Sequence, residues 1–213
     1  MFYIVEEESK LERLENLTRL GLYVDVILSN DLYHPSLNSV VAVYIRPIKS
    51  KHGFIIPINH DEGFNIDKER ILELLSKASK LYTLNKKDLL YHFNLQSAID
   101  LSLLYSMVKY QRLEYSREIS TINYFYNKFK DFKNINRLIP ISKLYESCEK
   151  GYDKVSNVIE FEIPEGFEFY NTTDTNVFYL LEQGGLDIHY KQFNELFKQR
   201  NNLYHKINNT ILT

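Results

Sequence analysis

The seven residues Leu22–Leu28, LYVDVIL, constrain the fold more than any other stretch of this sequence. They form a near-continuous apolar run with a single acid, Asp25, in the middle. A run this short, preceded by Gly21 and followed by a loop rich in Asn, Asp, His and Pro, reads as a central strand buried on both faces. An Asp in such a strand is costly unless it is hydrogen-bonded or metal-bound, so Asp25 stands apart from the surface acids.

The elements around that strand define the class. Phe2 to Val5 is short and β-prone. Ser9 precedes a helical stripe of Leu11, Leu14 and Leu17 that stops at Gly21. Val40 to Ile45 and Phe54 to Ile58 read as two more strands separated by the turn-like KSKHG. Asp67 can cap a helix with the core stripe Ile71, Leu74 and Leu75. Lys80 to Leu84 is a short strand, Lys86 to Phe93 a helix, and Ile99 to Met107 a strongly apolar helix. The order β-α-β-β-β-α-β-α-α gives an α/β class with a mixed sheet and flanking helices. From Glu118 the pattern turns helical: Ile119 to Phe132, then Ser142 to Glu149. A strand-like IEFEIP follows, punctuated by Pro164-Glu165-Gly166. A last helix, Asp187 to Ile211, sets Phe193, Leu196, Phe197, Tyr204, Ile207 and Ile211 near one face. It meets no stop signal before Thr213, so the natural chain is expected to continue.

Composition excludes several classes. The 213 residues, 44% hydrophobic and 25% charged, can build a real core. A formal net charge of -2 does not suit a uniformly basic nucleic-acid coat, although it leaves room for a local basic groove. The single Cys148 allows no internal disulfide framework, and no Cys/His cluster suggests zinc. The start MFYIVEEESK carries acids where a signal peptide needs a basic and then apolar run, and no apolar stretch approaches the ~20 residues of a membrane span. A soluble, cytoplasmic protein is the expectation. Seventeen Tyr, thirteen Phe and no Trp, with abundant Asn, Lys and Ile, suggest an AT-rich genome such as many phages have.

Four phrases in this order resemble the N-terminal, 3'-5' exonuclease-like part of phage-type family A DNA polymerases. GLYVDVILSN stands where that family carries its first motif, Asp-x-Glu on a strand. VYIRPIKSKHGFIIPINHDEG resembles the following hairpin, and KLYTLNKKDLLYHF resembles a second motif of the form Asn-x-Lys-x-Asp at a helix start. IDLSLLYSM resembles the next helix. Farther on, NVFYLLEQGGLDIHYKQFNELFKQRNNLY resembles the start of the polymerase thumb. The resemblance covers most of residues 2–110 and about 165–208. It implies a ribonuclease-H-like core at 1–115, a helical remainder at 116–164 and a thumb-like segment at 165–213. It also implies a role in DNA replication in a phage-infected bacterial cytoplasm. The implied partners are DNA, as primer-template or a single-stranded 3' end, and a palm and fingers portion, which this chain lacks.

Exonucleases of that type use four carboxylates to hold two divalent metals about 4 Å apart. The resemblance assigns Asp25 and Asp88 as metal ligands for Mg²⁺ or Mn²⁺, and Tyr170 and Asp174 as the third motif, Tyr-x-x-x-Asp. The first motif is incomplete, because its partner position is Ile27, and isoleucine offers no oxygen to a hard cation. Asp31, six residues on and in a loop, is an alternative acid off strand spacing. Asn85-Lys86-Lys87-Asp88 is one residue shorter than the family phrase. Lys86 and Lys87 suit phosphate contacts near a 3' end, and Lys198 and Arg200 suit the duplex backbone.

Each assignment has a plainer counterpart. Asp25 also reads as a vestigial or helix-facing acid, Asp88 as a first-turn acid favoured by the helix dipole, and Tyr170 and Asp174 as part of the thumb entrance. The contiguous His60-Asp61-Glu62 has no spacing that converges on an ion and reads as a solvated turn. The aromatic group Tyr124, Phe125, Tyr126, Phe129 and Phe132 reads as core or interface before base stacking. Cys148 has no base beside it in sequence. Three functions follow: a catalytically degenerate, architectural polymerase part; an active metal-dependent 3'-5' exonuclease; or a non-enzymatic accessory protein that binds a replication partner.

Overall fold

A computed structural model describes residues 4–5, 7–30, 35–111, 113 and 134–174, with the side chains at 8, 9, 173 and 174 outside it. The chain divides into two compact units, Met1–Tyr179 and Leu180–Thr213. The second unit, with the expected helix Asp187 to Ile211, lies outside the described residues, as does the expected helix Ile119 to Phe132.

Five strands form one sheet: β1 (Leu22–Leu28), β2 (Val40–Pro47), β3 (Phe54–Pro57), β4 (Leu81–Thr83) and β5 (Ile99–Asp100). Their spatial order is β3-β2-β1-β4-β5. β1, β2 and β3 run antiparallel in sequence order, while β4 and β5 pair parallel to β1 and to each other. The apolar run is therefore the middle strand, and all seven of its residues are buried. Of the expected first strand, Ile4 and Val5 are described: Ile4 bridges to Ile55, and the Val5 N–H donates to Ile55 O at 3.0 Å.

Alternation along β1 sorts the two faces. Leu22, Val24, Val26 and Leu28 join Val43, Ile45 and Ile56 on one face. There they meet Leu11 and Leu14 of α1 (Glu8–Glu15), Ile71, Leu74 and Leu75 of α2 (Lys68–Ser76), and Leu89 and Phe93 of α3 (Lys86–Phe93). Tyr23 and Ile27 join Ala42, Tyr44 and Ile55 on the other face. That face is covered by Leu101 and Leu104 of α4 (Leu101–Lys109) and, after the short α5 (Ile135–Leu138), by α6 (Ile141–Val155) through Leu144, Cys148 and Tyr152. Ile139, between α5 and α6, is a member of the same cluster. The result is a three-layer arrangement with a mixed sheet in the middle.

α1 ends at Glu15, before Leu17 of the expected stripe, and α6 runs longer than the expected Ser142 to Glu149. Two further elements differ in kind. Ile99 begins a two-residue strand, paired with Tyr82, and the helix starts only at Leu101. Asp100 is its N-cap, with its carboxylate accepting from the Ser102 and Leu103 N–H groups, and a cap residue must itself be extended. The strand-like IEFEIP is no strand. Ser156–Glu160 is a 3-10 helix, and Phe161 stacks on Tyr105 of α4 at 6.3 Å. Ile159 and Phe161 pack against the core cluster rather than pairing with a sheet edge, and Ile163 is exposed. Among the described residues no helix is long and apolar enough to cross a membrane.

Candidate functional site

Asp25 is the fourth residue of β1 and pairs directly with Tyr44 of β2. Its alternation partners are Tyr23 and Ile27, so it points to the face covered by α4 and α6. α3, by contrast, packs its Leu89 and Phe93 on the opposite face. Asp25 is 6% exposed and Ile27 1% exposed. The position that would carry the second carboxylate is thus filled by packed hydrocarbon.

α3 follows β4 after Leu84 and Asn85 and ends at Asn94, whose left-handed φ of 53° closes the last turn. Asp88 in its first turn is buried, and its Oδ2 accepts a hydrogen bond from Asn85 Nδ2 at 2.8 Å. Lys87 lies 6.0 Å from the ring of Tyr91 on the same helix. Lys86 is 0% exposed, and its Nζ donates to the main-chain oxygen of Asn171 at 2.6 Å. The expected phosphate contact of Lys86 is corrected by that burial: a phosphate reaches this amine only if the segment around Asn171 moves away.

That segment comprises a short helical turn, Phe167–Phe169, continuing into a wider π turn, Tyr170–Asp174. Phe167 is buried in the core, whereas Phe169 and Tyr170 are exposed and meet edge to face at 5.4 Å. Tyr170 is 45% exposed. The backbone at Asp174 closes the π turn, but its side chain lies outside the described residues, as do Asp31, Lys198, Arg200 and the aromatic group Tyr124 to Phe132.

A polar cluster that the sequence reading did not find joins α3, β5 and this segment. The Asn171 side chain accepts from the Asp100 N–H at 3.0 Å and donates to Ala98 O at 3.0 Å. Asp100 Oδ2 also accepts from the Lys86 N–H at 3.4 Å. Burial pulls the Lys86 amine down to about 8, opposed by the charge of Asp100. Burial pushes the Asp100 carboxyl up, against the backbone N–H groups of Leu103, Lys86 and Ser102 and the charge of Lys86. Only sequence order separates Lys86 from its neighbour Lys87, so no local signal marks it as the buried one.

A second such cluster sits at the hairpin. Glu149 of α6 accepts from the Tyr44 hydroxyl at 2.6 Å, the Gly53 N–H at 2.7 Å and Arg46 Nη1 at 3.1 Å. The Arg46 guanidinium lies 4.0 Å over the ring of Tyr152. Burial and the hydrogen bond to Glu149 push the Tyr44 phenol far above its ordinary range.

His60 also departs from expectation. It is buried, with Nε2 2.9 Å from Ile139 O, while Nδ1 accepts from the Glu62 N–H at 3.0 Å. Glu62 Oε2 accepts from the Ile141 N–H at the start of α6, and Asp61 pairs with Arg137 at 2.6 Å. Asp61 and Glu62 are exposed, as a solvated turn requires, while His60 is buried beneath them, and all three tie the loop to the residues leading into α6.

The chemistry of the donor set decides the fit to a metal pair. Among the described residues no group of three or more His, Cys, Asp or Glu side chains could hold an ion. Asp25 is followed on its own face by Ile27, and Asp88 is engaged by Asn85. The side chains described do not by themselves complete a two-metal carboxylate centre; those of Asp31 and Asp174 lie outside the described residues.

Strand order β3-β2-β1-β4-β5, with three antiparallel strands followed by two parallel ones and helices on both faces, defines a ribonuclease-H-like fold. Comparison of the sequence with protein-family models and with curated proteins gives no match. Among solved structures, the chain is similar to the EXO domain of Aedes aegypti Nibbler, with 13% identity over 75% of this chain and 88% of that one and a TM-score of 0.44. It is similar to the apo form of a nuclease, with 12% identity, 87% and 94% coverage and a TM-score of 0.49. It is also similar to Escherichia coli RNase D, an exoribonuclease involved in structured RNA processing, with 10% identity, 81% and 51% coverage and a TM-score of 0.37.

Proposed function

We propose that this chain is an exonuclease-like part of a family A DNA polymerase in which the fold serves as a scaffold and metal-dependent cleavage is not carried out. One observation carries the reading. Asp25 and Ile27 lie on the same buried face of the central strand, so the strand that would bear two ligands bears one. Two-metal hydrolysis needs ligands that bridge and fix both ions, and loss of one weakens metal binding severely. What remains is a rigid three-layer support whose partners are primer-template DNA and a palm and fingers portion.

The test is trimming of a 5'-labelled single-stranded oligonucleotide by the purified chain in Mg²⁺ and in Mn²⁺. No shortening above a buffer control is expected. Robust metal-dependent shortening, abolished by Asp25→Ala, would make the chain a working 3'-5' exonuclease instead. The polymerase context is checked by pull-down of a palm and fingers polypeptide from the native source. Absence of both activity and that partner leaves the accessory-protein reading in its place.

A further inference from the structure

We propose that Lys86 and Asn171 form a tether that fastens the Phe167–Asp174 segment to the ends of β4 and β5, and that this tether sets where Tyr170 stands. Among the described strands β5 lies at one edge of the sheet, where backbone groups need other partners. The Asn171 side chain supplies what a neighbouring strand would: its Oδ1 takes the Asp100 N–H and its Nδ2 gives a bond to Ala98 O. A carboxamide can do this because it carries an acceptor and a donor side by side.

Lys86 grips the same residue from the other side. Its stem is buried, and its Nζ donates to Asn171 O at 2.6 Å, while its own N–H points at Asp100 Oδ2. Asn171 is thus held by its side chain to β5 and by its backbone to α3. An amine donates whether or not it is protonated, so the tether does not depend on its charge. Taking a lysine head out of water is unfavourable without a partner, so the burial and the bond to the segment stand or fall together.

The place of the tether gives it a role. Asn171 lies in the first part of the π turn, and single π turns recur at functional sites. Tyr170 is its immediate neighbour, and Phe167 anchors the segment three residues before that in the core. Phe169 and Tyr170 project outward between these two fixed points. Lys86 is therefore a positioning residue acting through Asn171, and release of the bond frees Tyr170 without disturbing the sheet. Only the importance of Tyr170 rests on the exonuclease-like reading; the tether does not.

Two readouts test it in the intact chain. The first is hydrogen exchange at the Asp100 amide, whose acceptor is Asn171 Oδ1. The second is the ¹⁹F resonance of Tyr170 in fluorotyrosine-labelled protein, assigned with Tyr170→Phe. Lys86→Met keeps the stem and removes the donor. It is expected to speed Asp100 exchange at least tenfold and to shift the Tyr170 resonance, with Val43 exchange on the central sheet unchanged. Lys68→Met, which removes a lysine head 5.3 Å from the ring of Phe93, is expected to change neither. If Lys86→Met does not fold, Asn171→Ala provides the same two readouts. Unchanged exchange and an unmoved resonance in the folded variant would overturn the tether. Neither readout involves DNA or cleavage, so the tether can fail while the exonuclease-like reading survives, and the converse.

Discussion

Ile27 and Lys86 carry the residue-scale consequences, because each is a buried side chain whose chemistry runs against the simplest reading of its motif. Ile27→Glu would place a carboxylate where hydrocarbon is packed. An uncompensated buried charge costs roughly 3–5 kcal/mol, so a marked fall in melting temperature is expected. Added Mn²⁺ should not restore it, since a ligand stabilises only the state that binds it and the described residues offer no complete ligand set. Melting curves with and without Mn²⁺ check this; recovery of the wild-type midpoint would mean the remaining carboxylates still converge. Lys86 titrates near 8 in the folded chain, below the ordinary lysine value. Between those two values the unfolded chain binds the extra proton, so this group makes stability rise with pH across that window. Urea denaturation at pH 7.5 and 9.5 should show the increment, with Asp100 the nearby charge that acts on the amine, and Lys86→Met should lack it. That Asp25 is unusual was legible from its place in an apolar run. That Lys86 rather than Lys87 turns inward was not, because the partner oxygen belongs to Asn171, eighty-five residues away.

At the scale of elements, α6 is held to the β2–β3 hairpin by one carboxylate. Glu149 gathers Tyr44, Arg46 and the Gly53 N–H, and a side chain at Gly53 would put Cβ 2.3 Å from the Tyr44 ring. Glycine at that turn is thus required by the close approach of the tyrosine. Glu149→Ala leaves the Arg46 guanidinium, which is 9% exposed, its bonds to the Ser50 and Lys51 carbonyls but, among the described residues, only the outlying carboxylate of Asp153 at 3.5 Å to balance its charge. The expected loss is about 2–3 kcal/mol, read from urea unfolding; a change within 0.5 kcal/mol, the usual size for surface sites, would show that the hairpin is held by apolar packing alone. α2 was legible from its Asp67 cap and its stripe of Ile71, Leu74 and Leu75, and α3 was read at its observed bounds, whereas α6, read as Ser142 to Glu149, runs from Ile141 to Val155. β5 and the fate of IEFEIP were not legible. A two-residue strand is too short to show alternation, and a run of β-prone residues forms a strand only if an edge is free to receive it.

At the scale of the molecule, both buried clusters lie within Met1–Tyr179. Residues 1–179 alone should therefore melt in a single cooperative transition, which circular dichroism would record; a broad, non-cooperative melt would show that Leu180–Thr213 is needed to complete the core. The sequence by itself determined the class. Its apolar run demanded a strand covered on both sides, and the periodicities before and after it supplied three further strands and the helices to cover them. These are local statistics of burial, and a linear pattern records them because side-chain period follows backbone geometry. Tertiary structure alone decided which polar groups meet. Glu149 finds Arg46, His60 finds Ile139, and Lys86 finds Asn171 across separations of about 80 to 100 residues. A buried hydrogen bond depends on atoms within about 3 Å of each other, and no local sequence pattern encodes that proximity.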